Sequence, residues 1–212
     1  MRSKVLLLTV FGLAMAYVEA AVVVYLRQII YPEGFAFPLK AITMRLGAVE
    51  VGREAATIFM LLSVAYLVEK TKRGRFACFM FLFGLWDIGY YIWLRVTIGW
   101  PESLLTWDVL FLIPLIWSGP VIAPMMVACL FVAAGLLYFW NREAAETVPI
   151  RRLDWLLTAA SAVIIFFAFV ANHALVSAGG APGRFPWEIF TPGLALALLL
   201  LVKTGVTSRA RV

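Results

Sequence analysis

The chain has 212 residues, of which 64% are apolar and 14% charged, with a mean hydropathy of +0.95 and a formal net charge of +6. A chain of this length cannot enclose so many large apolar side chains in water, so a water-soluble enzyme is excluded. The basic residues sit at the ends of apolar runs, which excludes nucleic acid as a partner, and Cys78 and Cys129, in separate apolar runs with no second cysteine near either, give no CxxC pair or zinc knuckle and imply no disulfide framework.

Crossing about 30 Å of hydrocarbon takes about 20 helical residues, and six apolar stretches meet that length: about 5–31, 40–68, 76–98, 120–140, 153–178 and 187–204. The fold expected is all-α: a single polytopic membrane helix bundle over 1–212. The first stretch begins like a signal peptide, with Arg2 and Lys4 ahead of it and Val18-Glu19-Ala20 as a loose small-x-small site. The apolar run continues to Ile30, so it reads as an uncleaved helix.

Between the third and fourth spans, Glu102 to Trp117 is apolar but has only about 12 residues before Pro114, or roughly 18 Å of helix. It is too short to cross and is predicted as a short helix, re-entrant or interfacial. Asp108 would suit a dip into a polar cavity, and Trp107 would suit an interfacial anchor. Ser118-Gly119-Pro120 reads as the start of the fourth helix, with serine capping and proline in the first turn. The loops Tyr31-Pro32-Glu33-Gly34 and Ala178 to Gly183 carry the other turn residues.

Alternating the helices puts twelve of the 18 basic residues on one side: Arg2, Lys4, Lys70, Lys72, Arg73, Arg75, Arg142, Arg151, Arg152, Lys203, Arg209 and Arg211. Only Glu69, Glu143, Glu146 and Asp154 oppose them there. The positive-inside rule makes that side cytoplasmic, with both termini on it.

Ionisable groups inside the spans carry the functional signal, because each costs about 2.5 to 3.5 kcal/mol at mid-membrane unless paired, neutralised or hydrated. Helical rise puts Glu19, Glu50, Glu54 and Asp87 about 15 to 21 Å from the outer helix ends, with Arg53 in the same layer. Arg27, Arg45, Arg95 and His173 lie within about 8 Å of those ends. Glu50 and Glu54 are four apart with Thr57 a turn further on, Asp87, Tyr91 and Arg95 follow in four-residue steps beside Tyr90, and Glu19 and Arg27 are eight apart. Three helices therefore each carry a polar stripe, and spans one to three are expected to converge on a wet cavity.

Four acids against one base in the deep layer require either protons or a bound cation. The first functional reading is an outward-opening acidic site of Glu19, Glu50, Glu54 and Asp87, with Asp108 and His173 as further candidates. It would bind a cation, a proton-coupled solute or a metal ion. A Glu-x-x-His pair is missing, a single histidine rules out bis-histidine haem, and no nucleotide or flavin glycine pattern occurs. A second reading is a non-catalytic subunit of a larger membrane complex, its acids paired with Arg27, Arg45, Arg53 and Arg95 to fix the packing. A third is an outer-leaflet lipid-handling or metal-dependent membrane enzyme that holds an anionic headgroup on Arg27, Arg45 and Arg95.

The segments Tyr25-Leu26-Arg27 with Tyr31-Pro32-Glu33-Gly34-Phe35, Glu50 to Thr57, Trp86-Asp87-Ile88-Gly89-Tyr90-Tyr91 and Gly99 to Asp108 together resemble an uncharacterised family of bacterial multi-span inner-membrane proteins. The resemblance covers spans one to four. It implies a bacterial inner membrane and carries no activity.

Overall fold

The computed structural model describes residues 2–209, with side chains through residue 206; Arg211 and the side chain of Arg209, counted above with the basic cluster, lie outside the described residues. Among the described residues, six helical segments are long and apolar enough to cross a membrane. They are α1 (Arg2–Ile30), α2 (Met44–Val68), α3 (Lys72–Ile98), α4 (Ile122–Trp140), α6 (Arg152–Val170) continued by α7 (His173–Ser177), and α8 (Trp187–Arg209). The short α5 (Arg142–Thr147) lies between α4 and α6. The outer surface of the bundle exposes Leu6, Leu7, Phe59, Leu67, Val163 and Leu199. Exposed side chains of this kind suit a lipid solvent, so the chain is a multi-pass membrane protein.

Local chemistry sets the helix ends. Thr43 accepts from the Leu46 N–H at 3.3 Å to cap α2, and Thr71 accepts from the Gly74 N–H at 2.9 Å to cap α3. α3 ends at Gly99, whose φ of 70° is the left-handed conformation that glycine adopts without a Cβ penalty. The fifth span, expected to run unbroken over 153–178, breaks at Ala171 and Asn172. There the Asn172 side chain turns to the 183–184 loop, accepting from the Gly183 N–H at 2.8 Å.

α3 is the centre of one half of the molecule, packed against α1, α2 and α4, while α6 and α8 pair in the other half. Small residues allow the close approaches. A Cβ at Gly84 would stand 2.5 Å from the Ala128 carbonyl oxygen, and one at Gly89 would stand 2.7 Å from the Ala16 Cβ.

The segment between α3 and α4 departs from the expected short helix. It is an antiparallel hairpin of β1 (Trp107–Phe111) and β2 (Trp117–Pro120). Phe111 packs on Phe83 and Trp86 of α3, about 18 Å below that helix's C-terminal end by helical rise, so the hairpin is re-entrant. Backbone at that depth needs protein partners for every polar group. The ladder supplies some, the Thr106 and Leu104 carbonyls accept from Val121 and Ile122, and two side chains described below hold the tip. Ser118-Gly119-Pro120 accordingly forms strand and not a helix start. α4 begins at Ile122 with no side-chain cap, because these residues pair with Trp107, Asp108 and Val109.

The basic helix ends gather at one end of the bundle. Glu69 is buried there between Lys4 Nζ at 2.5 Å and Arg142 Nη2 at 2.7 Å, which ties α1 and α5 to the α2–α3 junction. Glu146 accepts from the hydroxyls of Thr71 and Tyr138, each at 2.5 Å, and Arg73 donates to the carbonyls of Ala145, Glu146 and Val148. Burial raises the Glu146 carboxyl. The two hydroxyl donors and the charges of Arg73 and Arg142 outweigh it and hold the group below the usual carboxylate range.

Candidate functional site: an acidic chamber of three helices and a hairpin

The structure brings the three polar stripes together. Arg53 of α2 forms ion pairs with Glu19 of α1 and with Glu50 one turn earlier, at 2.9 Å to the latter. Thr57 donates to Glu19 at 3.1 Å on the same face. Glu19, Glu50, Glu54 and Thr57 are all buried, so the stripes of α1 and α2 turn away from lipid as the burial cost of charge demands.

The hairpin closes the chamber from above. Arg27 of α1 donates to Asp108 of β1 at 2.9 Å, and its guanidinium lies over the rings of Trp100 at 3.7 Å and Phe35 at 4.4 Å. Asp108 also accepts from the Val109 N–H at 2.9 Å and lies beside Tyr91. At the hairpin tip, the Leu112 N–H donates to both oxygens of Glu54, at 3.1 and 2.9 Å. On the other side of Pro114, the Ile116 N–H donates to His173 Nδ1 at 3.0 Å. Glu54 and His173 thus hold amides on the two sides of the re-entrant tip, a role the sequence reading did not assign to either.

Asp87 differs from the other acids. It lines the same cavity as Glu19, Glu50, Glu54 and Asp108, beside Tyr90 and Tyr91, and makes no hydrogen bond or ion pair among the described residues. The charged groups that line the chamber are therefore five carboxylates against two guanidiniums, Arg27 and Arg53, with exposed Lys40 at the mouth formed by the α1–α2 loop.

The remaining candidates fall outside the chamber. Arg45 is exposed in the first turn of α2, and Arg95 donates to the carbonyls of Gly99 and Pro101, closing the C-terminal end of α3. Of the three arginines suggested for an anionic headgroup, only Arg27 lines the cavity, and Asp108 already occupies it. Among the described residues, no three His, Cys, Asp or Glu side chains come together so as to hold a metal ion. His173 is committed through Nδ1 to the hairpin and does not join the acids. Comparison with family models, curated proteins and solved structures finds no match for the chain.

Proposed function

We propose that the chamber binds a cationic group, exchanging it for protons, and that the protein takes up this group from the end bearing the α1–α2 loop. The observation that carries the reading is the charge imbalance in the outer part of the cavity: five carboxylates line it with Arg27, Arg53 and, at the mouth, Lys40, and Asp87 makes no hydrogen bond or ion pair among the described residues. Charge of one sign in a low-dielectric layer must be balanced, and a ligand cation or protons can do so. Positive-inside charge makes the basic end cytoplasmic and the chamber mouth external, in a bacterial inner membrane.

Packing of helices accounts for part of the cluster. Arg53 joins α1 to α2 and Arg27 joins α1 to the hairpin, so Glu19, Glu50 and Asp108 are positioned by fixed ion pairs. That leaves Asp87, with Glu54 behind it, to face the ligand. Potentiometric measurement of protons released when butylamine hydrochloride is added to the weakly buffered, detergent-purified chain tests the reading. Release from the native protein that is lost in Asp87→Asn is expected; equal traces for the two proteins would overturn it.

A further inference from the structure

The acidic chamber is one end of a much longer cavity. The space continues without interruption from Asp87 toward the basic end of the bundle, and its total volume is about 1270 Å³. That exceeds the roughly 300 to 1,000 Å³ of ordinary small-ligand pockets. Below the chamber the walls change character. α3 contributes Phe83, Met80 and Phe76, α4 contributes Phe131 and Ala134, and α6 faces them with Ala162. From Asp87 to Phe76 is eleven residues of α3, about 16 Å of apolar wall. At the far end Phe76 and Trp155 meet edge-on with ring centroids 6.0 Å apart, and Arg73, Arg151, Asp154 and Lys203 line the cavity beyond them, so the apolar stretch lies between two polar ends.

The polar end shows atoms waiting for a partner. Asp108 is 1% exposed, and beside the Tyr91 hydroxyl its Oδ2 makes no hydrogen bond of good geometry among the described residues; Arg27 is 8% exposed and its Nη1 makes none. Both residues line the chamber. Buried polar atoms of this kind are seldom left unpaired, and Asp108 Oδ2 calls for a donor while Arg27 Nη1 calls for an acceptor. The charge balance selects a protonated amine over an anion, since an anion would meet five acids for two guanidiniums already paired with them.

From these two ends of one cavity, the geometry points to a long-chain amphiphile as the ligand, its protonated amine in the chamber and its hydrocarbon chain along the groove between α3, α4 and α6. The inference rests on the cation-binding reading of the chamber and adds the substrate class. The chain would lie along the apolar stretch and present its head to Asp87. A solute that lacked the chain would gain nothing from the groove.

The test uses the full chain in phosphatidylcholine nanodiscs, with radiolabelled dodecylamine as probe and empty nanodiscs as the partition control. Saturable binding is expected, with butylamine, dodecanol and dodecanoate each competing about tenfold or more less well. Narrowing the groove with Ala134→Trp or, from the facing wall, Ala162→Phe should weaken dodecylamine about fivefold or more and leave butylamine unchanged. Asp87→Asn should weaken both amines. Butylamine competing as well as dodecylamine, with both groove variants silent, would overturn the amphiphile and leave the cationic site standing. Dodecanol or dodecanoate competing as well as the amine, with Asp87→Asn silent, would overturn the cationic reading itself.

Discussion

Glu54 and Leu112, 58 residues apart in sequence, are joined by both carboxylate oxygens of the one accepting from the backbone N–H of the other, at 3.1 and 2.9 Å. An acid of α2 is thereby an anchor for the tip of a re-entrant hairpin as well as part of the chamber wall. The two roles separate by substitution. Glutamine retains an acceptor oxygen, so Glu54→Gln should keep the fold. Glu54→Ala strands the half-buried Leu112 amide and should cost about 1 to 3 kcal/mol. Denaturation in detergent, followed by tryptophan fluorescence, checks the difference; equal stability of the two variants would remove Glu54 as the anchor.

Arg27 and Asp108 form a buried pair, with side chains only 10% and 2% exposed. Removing one member leaves an uncompensated charge, so Arg27→Ala should destabilise by about 3 to 5 kcal/mol. Adding Asp108→Asn removes that charge and should recover part of the loss. Non-additive double-mutant energies are the signature to look for, and strictly additive ones would mean that the pair is not coupled.

Close packing of α3 on α4 depends on Gly84, where a Cβ would meet the Ala128 carbonyl oxygen at 2.5 Å and Val132 at 2.9 Å. Backbone cannot yield as a side-chain tip can. Gly84→Ala should therefore lower stability by about 1 to 3 kcal/mol despite alanine's better helix propensity. Gly52, with nothing within 4 Å of an added Cβ, is the control position, and Gly52→Ala should be neutral or stabilising.

The Glu146 carboxyl, pulled below its usual range once Thr71, Tyr138, Arg73 and Arg142 outweigh burial, gives a pH dependence with a definite sign. A lowered folded-state value means that the stabilisation is complete above the unfolded value of about 4.3 and fades as pH falls through the lower folded one. Thermal unfolding of the native chain and Glu146→Gln should differ by a constant amount above about pH 5 and converge in acid. A gap that widens on acidification would contradict the assignment.

Six spans were legible because apolar length alone decides them. Convergence of the acids was legible from four-residue spacing, which puts Glu50, Glu54 and Thr57 on one buried face. The hairpin was not, since a short apolar run bounded by turn residues fits helix and strand alike, and only the depth of Phe111 against Phe83 and Trp86 separates them. Arg95 looked like the top of a polar stripe but serves its own helix end, a distinction that spacing does not carry. Glu69 appeared as one loop acid among bases, with nothing in the sequence to show that Lys4 and Arg142 would bury it. The apolar groove escaped sequence reading altogether, because a helix face turned to a ligand chain and one turned to lipid have the same composition.

If the chamber holds a cationic group against Asp87, amine binding depends on that carboxylate. Equilibrium dialysis of radiolabelled butylamine against the detergent-purified chain, native and Asp87→Asn, measures it directly. Asparagine keeps the shape of a side chain that makes no hydrogen bond or ion pair among the described residues, so both proteins should be equally stable and only the native one should retain the amine, with affinity reduced about tenfold or more by the substitution. Equal retention by the two proteins would contradict the account.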